Sequence, residues 1–162
     1  MWPSRASSVA FFVALLASAL MLGPALAHTF ELPNKIGLPR DEYFVVQQIY
    51  RGWNKLSLLL AVQFISLLAT AFLARRERRV LVPTVLAILF VLGAQALFWT
   101  YTHPANVATA NWTVQTDDWV GLRRVWEYSH LAGAGLQVLA MTCLIIAVVS
   151  RLPTRRRNYN YY

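Results

Sequence analysis

Four uninterrupted apolar stretches, at residues 9–27, 56–74, 80–101 and 131–150, divide the chain, and none of them contains Lys, Arg, Asp or Glu. Each is about 20 residues long, the length at which a helix rising 1.5 Å per residue crosses a hydrocarbon core of roughly 30 Å. Lipid offers the backbone no hydrogen-bond partners, so stretches of this kind cross a bilayer as helices. The pattern predicts an all-α, integral membrane four-helix bundle forming a single domain over residues 1–162. Its helices are expected at about 9–31, 41–74, 80–102 and 117–150, followed by a basic tail at 151–162. Pro33 is expected to stop the first helix soon after Glu31, because a proline inside a helix lacks an N–H and clashes with the preceding turn. Pro39-Arg-Asp41-Glu42 opens a further helical segment with acids at its positive end. Phe44, Val45, Ile49 and Trp53 are spaced for one face of that segment, which is either an interfacial amphipathic helix or the start of the second span. Tyr43, Tyr50 and Trp53 suit the aromatic belt at a membrane surface.

Charge orients this bundle. Arg5, Arg75, Arg76, Arg78, Arg79, Arg151, Arg155, Arg156 and Arg157 fall on one side, opposed only by Glu77. On the other side Lys35, Arg40, Arg51, Lys55, Arg123 and Arg124 are balanced by Glu31, Asp41, Glu42, Asp117, Asp118 and Glu127, so the net charge of +8 sits entirely with the first set. By the positive-inside rule both termini and the 75–79 turn face the cytoplasm. The two longer connections, with their short helices, then face the periplasm of a bacterial inner membrane. Arginines that flank spans are explained by topology and anionic headgroups, and nucleic acid is excluded as a partner. Ala25-x-Ala27 before His28 also fits a signal-peptidase site. Retention of residues 1–27 is the expectation, since the apolar run exceeds an ordinary signal core and its loss would leave an odd number of spans.

Few polar residues lie near the spans. Gln63 and Gln95 are expected to hydrogen-bond neighbouring helices, and the single Cys143 to pack as a small apolar residue. Thr116-Asp117-Asp118 reads as the cap of the last helix. The small residues at 132–135 offer another helix a close approach. Asn111-Trp112-Thr113 matches a glycosylation sequon, of little weight outside a eukaryotic secretory pathway.

Two strings carry the candidate chemistry: His28-Thr-Phe-Glu31 ends the first span and Glu127-Tyr-Ser-His130 begins the fourth. The i,i+3 spacing puts each pair on one helix face. Because the two helices run antiparallel, the reversed order sets histidine level with histidine and carboxylate level with carboxylate. Two imidazoles and two carboxylates suit a mononuclear iron, copper, manganese or zinc ion. A di-iron centre needs carboxylates from two more helices, which the second and third spans lack. Two level histidines also fit haem, the weaker option. Without a cofactor, Glu31 and Glu127 are candidate proton-abstracting bases. Arg123, Arg51 and Asn111 are candidate orienters of a bound molecule, and Trp112 and Trp126 candidate pocket walls. Asp41, Glu42 and His103 read first as helix-terminal and surface residues.

Ala-His28-x-x-Glu31-x-Pro33, Gln47-Gln48-Ile-Tyr50-Arg51-Gly52, Asn111-Trp112-Thr113 and Arg123-x-x-Trp126-Glu127-x-x-His130 together resemble the anthrone-oxygenase-like family of small four-helix membrane proteins, over roughly residues 10–150. The resemblance implies an oxygenase-like membrane protein acting on a lipophilic aromatic or quinone-like molecule. Two other functions compete with that expectation: a non-catalytic accessory or assembly subunit of a membrane protein complex, and a binding module without turnover.

Overall fold

The computed structural model describes residues 4–151, which places the basic cluster Arg155, Arg156 and Arg157 outside the described residues. The described residues form helices and no strands. Four of the helical runs are long and apolar enough to cross a membrane.

Helix α1 spans Arg5–Lys35 and overruns the expected stop: Pro24 and Pro33 both lie inside it. Pro33 is exposed, and the Ile36 N–H still reaches the Leu32 carbonyl at 3.0 Å. The proline removes one hydrogen bond without ending the ladder, and so the helix gains one more turn carrying Lys35. After a short turn comes α2, Arg40–Gln47, with Asp41 and Glu42 in its first turn. The expected continuous 41–74 helix is broken. Gly52 has φ of 89° between two 3₁₀ turns, Gln48–Tyr50 and Trp53–Lys55, a left-handed conformation that glycine adopts without a Cβ penalty. Helix α3 then spans Leu56–Leu73.

Helix α4, Arg78–Leu97, passes into a π-helical segment, Phe98–Thr102, and then into α5, His103–Ala108. The helix thus runs past the expected end at about residue 102 and through Pro104. Its missing N–H leaves the Thr100 carbonyl without its α-helical donor, and the wider π turn carries the chain past that defect. After α5, Ala110, Asn111 and Trp112 have φ of 47°, 57° and 63°, three successive left-handed residues that reverse the chain. Helix α6, Trp119–Val149, starts at Asp118, whose side chain makes no capping hydrogen bond, so the expected Thr116–Asp118 cap is not formed.

Helix α1 packs against both α3 and α6, and α4 packs chiefly against α6; the seam between α3 and α4 is thinner. One core cluster fills the bundle around Phe11, Leu67, Val80, Val91 and Leu144, interleaved with buried alanines. Small interior residues let helices approach closely where lipid supplies no hydrophobic drive. Gly93 does this, with Leu136 Cδ1 3.3 Å from where its Cβ would stand, whereas Gly133 and Gly135 face open space. Gln63 fulfils its expectation, donating to Ser18 Oγ at 3.2 Å and to Gln137 Oε1 at 3.1 Å. Large apolar side chains such as Phe12, Leu58, Ile65, Phe72 and Leu89 point outward, as a lipid-facing surface requires. A second cluster of Tyr43, Phe44, Ala105, Trp112 and Trp126 closes the end of the bundle where the α1–α2 turn lies.

Candidate functional site

The site lies where the apolar stretches of α1 and α6 give way to polar residues. Successive turns of α1 present His28, Glu31 and Lys35, and α6 presents Arg123, Trp126, Glu127 and His130. The two histidine rings lie 4.2 Å apart, centroid to centroid, tilted by 43°. His130 Nδ1 is 2.8 Å from the Trp126 carbonyl, which leaves Nε2 as its other polar atom. His28 Nδ1 is buried without a hydrogen-bond partner. The rings of Trp53, Tyr50 and Trp126 surround His28 at 5.3, 4.5 and 5.1 Å.

The two carboxylates also come close, and an ammonium group lies between them. Lys35 Nζ is 3.4 Å from Glu31 Oε2 and 3.3 Å from Glu127 Oε1. Lys35 is buried and Glu127 is 1% exposed, so the second contact is a desolvated ion pair. Two tyrosines complete the network. Tyr50 donates to Glu31 and accepts from Lys35. Tyr43 donates to Glu127 Oε1 at 2.9 Å and accepts from Gln47. Lys35 also lies 4.6 Å from the Tyr50 ring centre and 5.1 Å from that of Trp126, close enough for cation–π attraction. Burial, and then the neighbouring Glu127 charge, pushes the Tyr43 hydroxyl well above the ordinary tyrosine range. Burial and the hydrogen bond to Glu31 do the same for Tyr50. Both hydroxyls therefore stay protonated as donors. Glu127 Oε2 is buried with no partner, an acceptor free for a bound molecule.

This arrangement does not fit a metal held by all four residues. The space between the carboxylates is taken by a cation of the chain's own, and the two imidazole rings lie against each other at a 43° tilt. Among the described residues no group of three or more His, Cys, Asp or Glu side chains is placed to hold a metal ion.

The other candidates divide. Trp126 is central: its ring lies 4.0 Å from that of His130, and its Nε1 donates to Asn106 Oδ1 at 2.8 Å. Trp112 is buried against Tyr43, one layer further out, and its carbonyl accepts from Gln48 at 2.8 Å. Arg123 is buried but turned to the α1–α2 turn, donating to the Leu38 carbonyl at 2.7 Å and stacking 4.5 Å from the Trp119 ring centre. Arg51 is exposed and bonds Gln48, and Asn111 is exposed on the left-handed turn, so neither joins the cluster. Asp41 is exposed and accepts from Gln115, Glu42 is exposed, and His103 stacks on Trp99 at 4.8 Å. Sequence reasoning missed Lys35, Tyr43, Tyr50 and Gln47 as site residues. The i,i+4 spacing of Glu31 and Lys35 was the one available signal.

A crevice of about 110 Å³ opens beside His130, bounded by α1, α4 with its π segment, and α6. A larger hollow of about 410 Å³ is a separate surface depression beside α2, lined by Leu38, Val45 and Val46 with Asp41 and Glu42. No protein-family model, characterised protein or solved structure matches the chain.

Proposed function

We propose that the protein is a membrane oxidoreductase whose buried acid/base site acts on a lipophilic phenolic or quinone-like molecule. The observation that carries this reading is the pairing of Glu127 with Lys35. A carboxylate held in a desolvated pocket, with one oxygen fixed by Lys35 and Tyr43 and the other free, is preorganised to take a proton from a bound hydroxyl. Removing that proton produces an electron-rich phenolate. Loss of the second proton and of two electrons to dioxygen yields the quinone and hydrogen peroxide, and His130 is the second proton acceptor within the cluster. The resemblance to anthrone-oxygenase-like proteins supports the same substrate class. The charge partition supports a site on the periplasmic side of a bacterial inner membrane.

The test is turnover of lipophilic hydroquinones by the purified, lipid-reconstituted protein, followed by oxygen uptake. Glu127→Gln is expected to lower the rate at least a hundredfold, consistent with the 10²–10⁴-fold contribution of a positioned base. Glu31→Gln is expected to lower it less than tenfold. Undiminished turnover in Glu127→Gln sinks the acid/base role. Stoichiometric metal in wild-type protein that disappears in His130→Ala would replace it with the four-ligand reading.

A second reading, an accessory subunit, draws support from the open faces of Gly133 and Gly135 on α6. Turnover by the isolated protein rules it out.

A further inference from the structure

The Glu127–Lys35 pocket is shut. Glu127 and Lys35 are 1% and 3% exposed, and neither hollow described above is lined by either of them. Glu127 Oε2 nonetheless stands as a buried acceptor without a partner. For any molecule to meet it, a part of the protein must move. The part that covers it is a single segment. Tyr43 lies on Glu127 and Tyr50 on Glu31, so both hydroxyls that hold the carboxylates ride on residues 38–51. Gly37 and Gly52 bound that stretch. A Cβ at either would meet no atom within 4 Å, and Gly52 holds a left-handed φ of 89°. Glycine reaches more backbone conformations than other residues, which suits it to a hinge.

The segment is also lightly held. The long helical runs pack along one another, whereas α2 forms no comparable seam with any of them. Beyond the tyrosines, three side-chain hydrogen bonds fasten it among the described residues. Arg123 donates to the Leu38 carbonyl at 2.7 Å, Gln115 to Asp41 Oδ1 at 2.8 Å, and Gln48 to the Trp112 carbonyl at 2.8 Å. The Gln115–Asp41 bond is exposed to solvent. The depression of about 410 Å³ is lined only by Leu38 and residues of α2, so no other element is seated against that side. Val45 and Ile49 are exposed on the segment's outer surface. What keeps it shut is apolar packing, because Tyr43 and Phe44 are buried against Ala105, Trp112 and Trp126. Movement of the segment is therefore rare and brief, and local to this end of the bundle.

We propose that residues 38–51 form a hinged cap that swings about Gly37 and Gly52 to open the Glu127–Lys35 pocket. Swinging out carries Tyr43 and Tyr50 away from the two carboxylates and uncovers Glu127. Swinging back returns both hydroxyls, so the site is fully assembled only once the cap has closed over its contents. Tyr43 is thereby a positioning residue as well as a cover, since it fixes one Glu127 oxygen only in the closed form. The inference goes beyond the oxidoreductase reading and holds whatever molecule Glu127 meets.

The experiment reads opening with a buried thiol in the full chain. In a Cys143→Ser background, Ala105→Cys lies beneath the cap, in the cluster with Tyr43 and Phe44, and Ala87→Cys lies in the bundle core. Each is reacted with N-ethylmaleimide in lipid nanodiscs and followed by mass spectrometry. A thiol that reacts through local opening labels at a rate set by the open population. Ala105→Cys is expected to label at least tenfold faster than Ala87→Cys. Adding Arg123→Met removes the guanidinium from the Leu38 carbonyl. Loss of that charged hydrogen bond should speed Ala105→Cys at least tenfold further and leave the Ala87→Cys rate unchanged. Gly37 lies outside the left-handed region, so Gly37→Ala fits the closed form and restricts the hinge. It should slow labelling about two- to fivefold. Gln48→Leu cuts the Trp112 fastener and serves if Arg123→Met does not fold, with the same direction of change. Equal labelling of the two thiols, or parallel acceleration of both, means opening only by unfolding of the whole bundle and overturns the cap. Labelling of Ala105→Cys that is indifferent to Gly37→Ala overturns the hinge. No turnover is measured, so failure of the cap and failure of the Glu127 base are separate results.

Discussion

Replacing Lys35 with methionine removes the ammonium and keeps most of the side-chain volume. Glu31 and Glu127 then lose their shared cation, but not equally. The Glu31 side chain is 35% exposed, so water screens its contact at 3.4 Å, and an ion pair of that kind is worth at most about 1 kcal/mol. The Glu127 side chain has no exposure and sits 3.3 Å from a lysine whose side chain is 4% exposed. Breaking a buried pair by deleting one partner costs about 3–5 kcal/mol, because the remaining charge is stranded. Tyr43 still donates to Glu127, which argues for the lower end, about 3 kcal/mol. For a chain of this length 1 kcal/mol corresponds to roughly 2–4 °C, so Lys35→Met should lower the thermal midpoint in a fixed detergent by roughly 6–12 °C. Glu31→Gln should lower it by only a few degrees. The double variant Lys35→Met/Glu127→Gln, which strands no charge and keeps an acceptor for Tyr43, should recover at least half of the loss. Intrinsic tryptophan fluorescence on heating supplies the readout. Equal effects of Lys35→Met and Glu31→Gln, or simple additivity in the double variant, would refute the buried-pair account.

Tyrosine in the unfolded chain ionises near pH 10, whereas Tyr43 and Tyr50 hold their protons to higher pH when folded. The folded state therefore binds more protons than the unfolded state above about pH 10, so the stability present below that pH is lost as pH rises. The thermal midpoint should fall from pH 9 to pH 11, and Tyr43→Phe/Tyr50→Phe should flatten that slope; an unchanged slope would remove these two hydroxyls from the account. Ala110, at φ of 47°, carries a Cβ in a left-handed turn, so Ala110→Gly should raise the midpoint by the equivalent of up to about 1 kcal/mol. A drop in the midpoint would show that the turn does not bear that strain.

The spans were legible because lipid imposes a plain rule, twenty apolar residues without charge, and each such stretch falls almost wholly within one of the long helical runs. Their ends were harder to read. Pro33 and Pro104 are helix breakers by local chemistry, yet one is carried on an exposed face and the other is absorbed by a π turn. Gly52 breaks a segment whose apolar spacing alone allowed continuity. The HxxE and ExxH spacing located residues that meet in space, since antiparallel geometry follows from span order. What joins the carboxylates was hidden, because a lysine at a span end reads as one that reaches toward water. Tyr43 and Tyr50 were hidden for a similar reason: aromatic residues at this depth suit the membrane surface whether or not their hydroxyls point inward. Arg51 and Asn111 lie near the site in sequence pattern only, and the Gly52 kink and the left-handed turn leave both exposed.

The Lys35–Glu127 pair also bears on how the protein is made. It joins the first spanning helix to the last, so Glu127 emerges from synthesis only after Lys35 and the two intervening spans. Until α6 docks, Lys35 has Glu31 and Tyr50 but no Glu127, and the bundle lacks the wall on which both α1 and α4 rest. Bilayer insertion of the first three helices therefore yields an unfinished assembly. Its closure awaits the final span, and a chain truncated before Glu127 would leave Lys35 with Glu31 as its one carboxylate partner at the membrane rim.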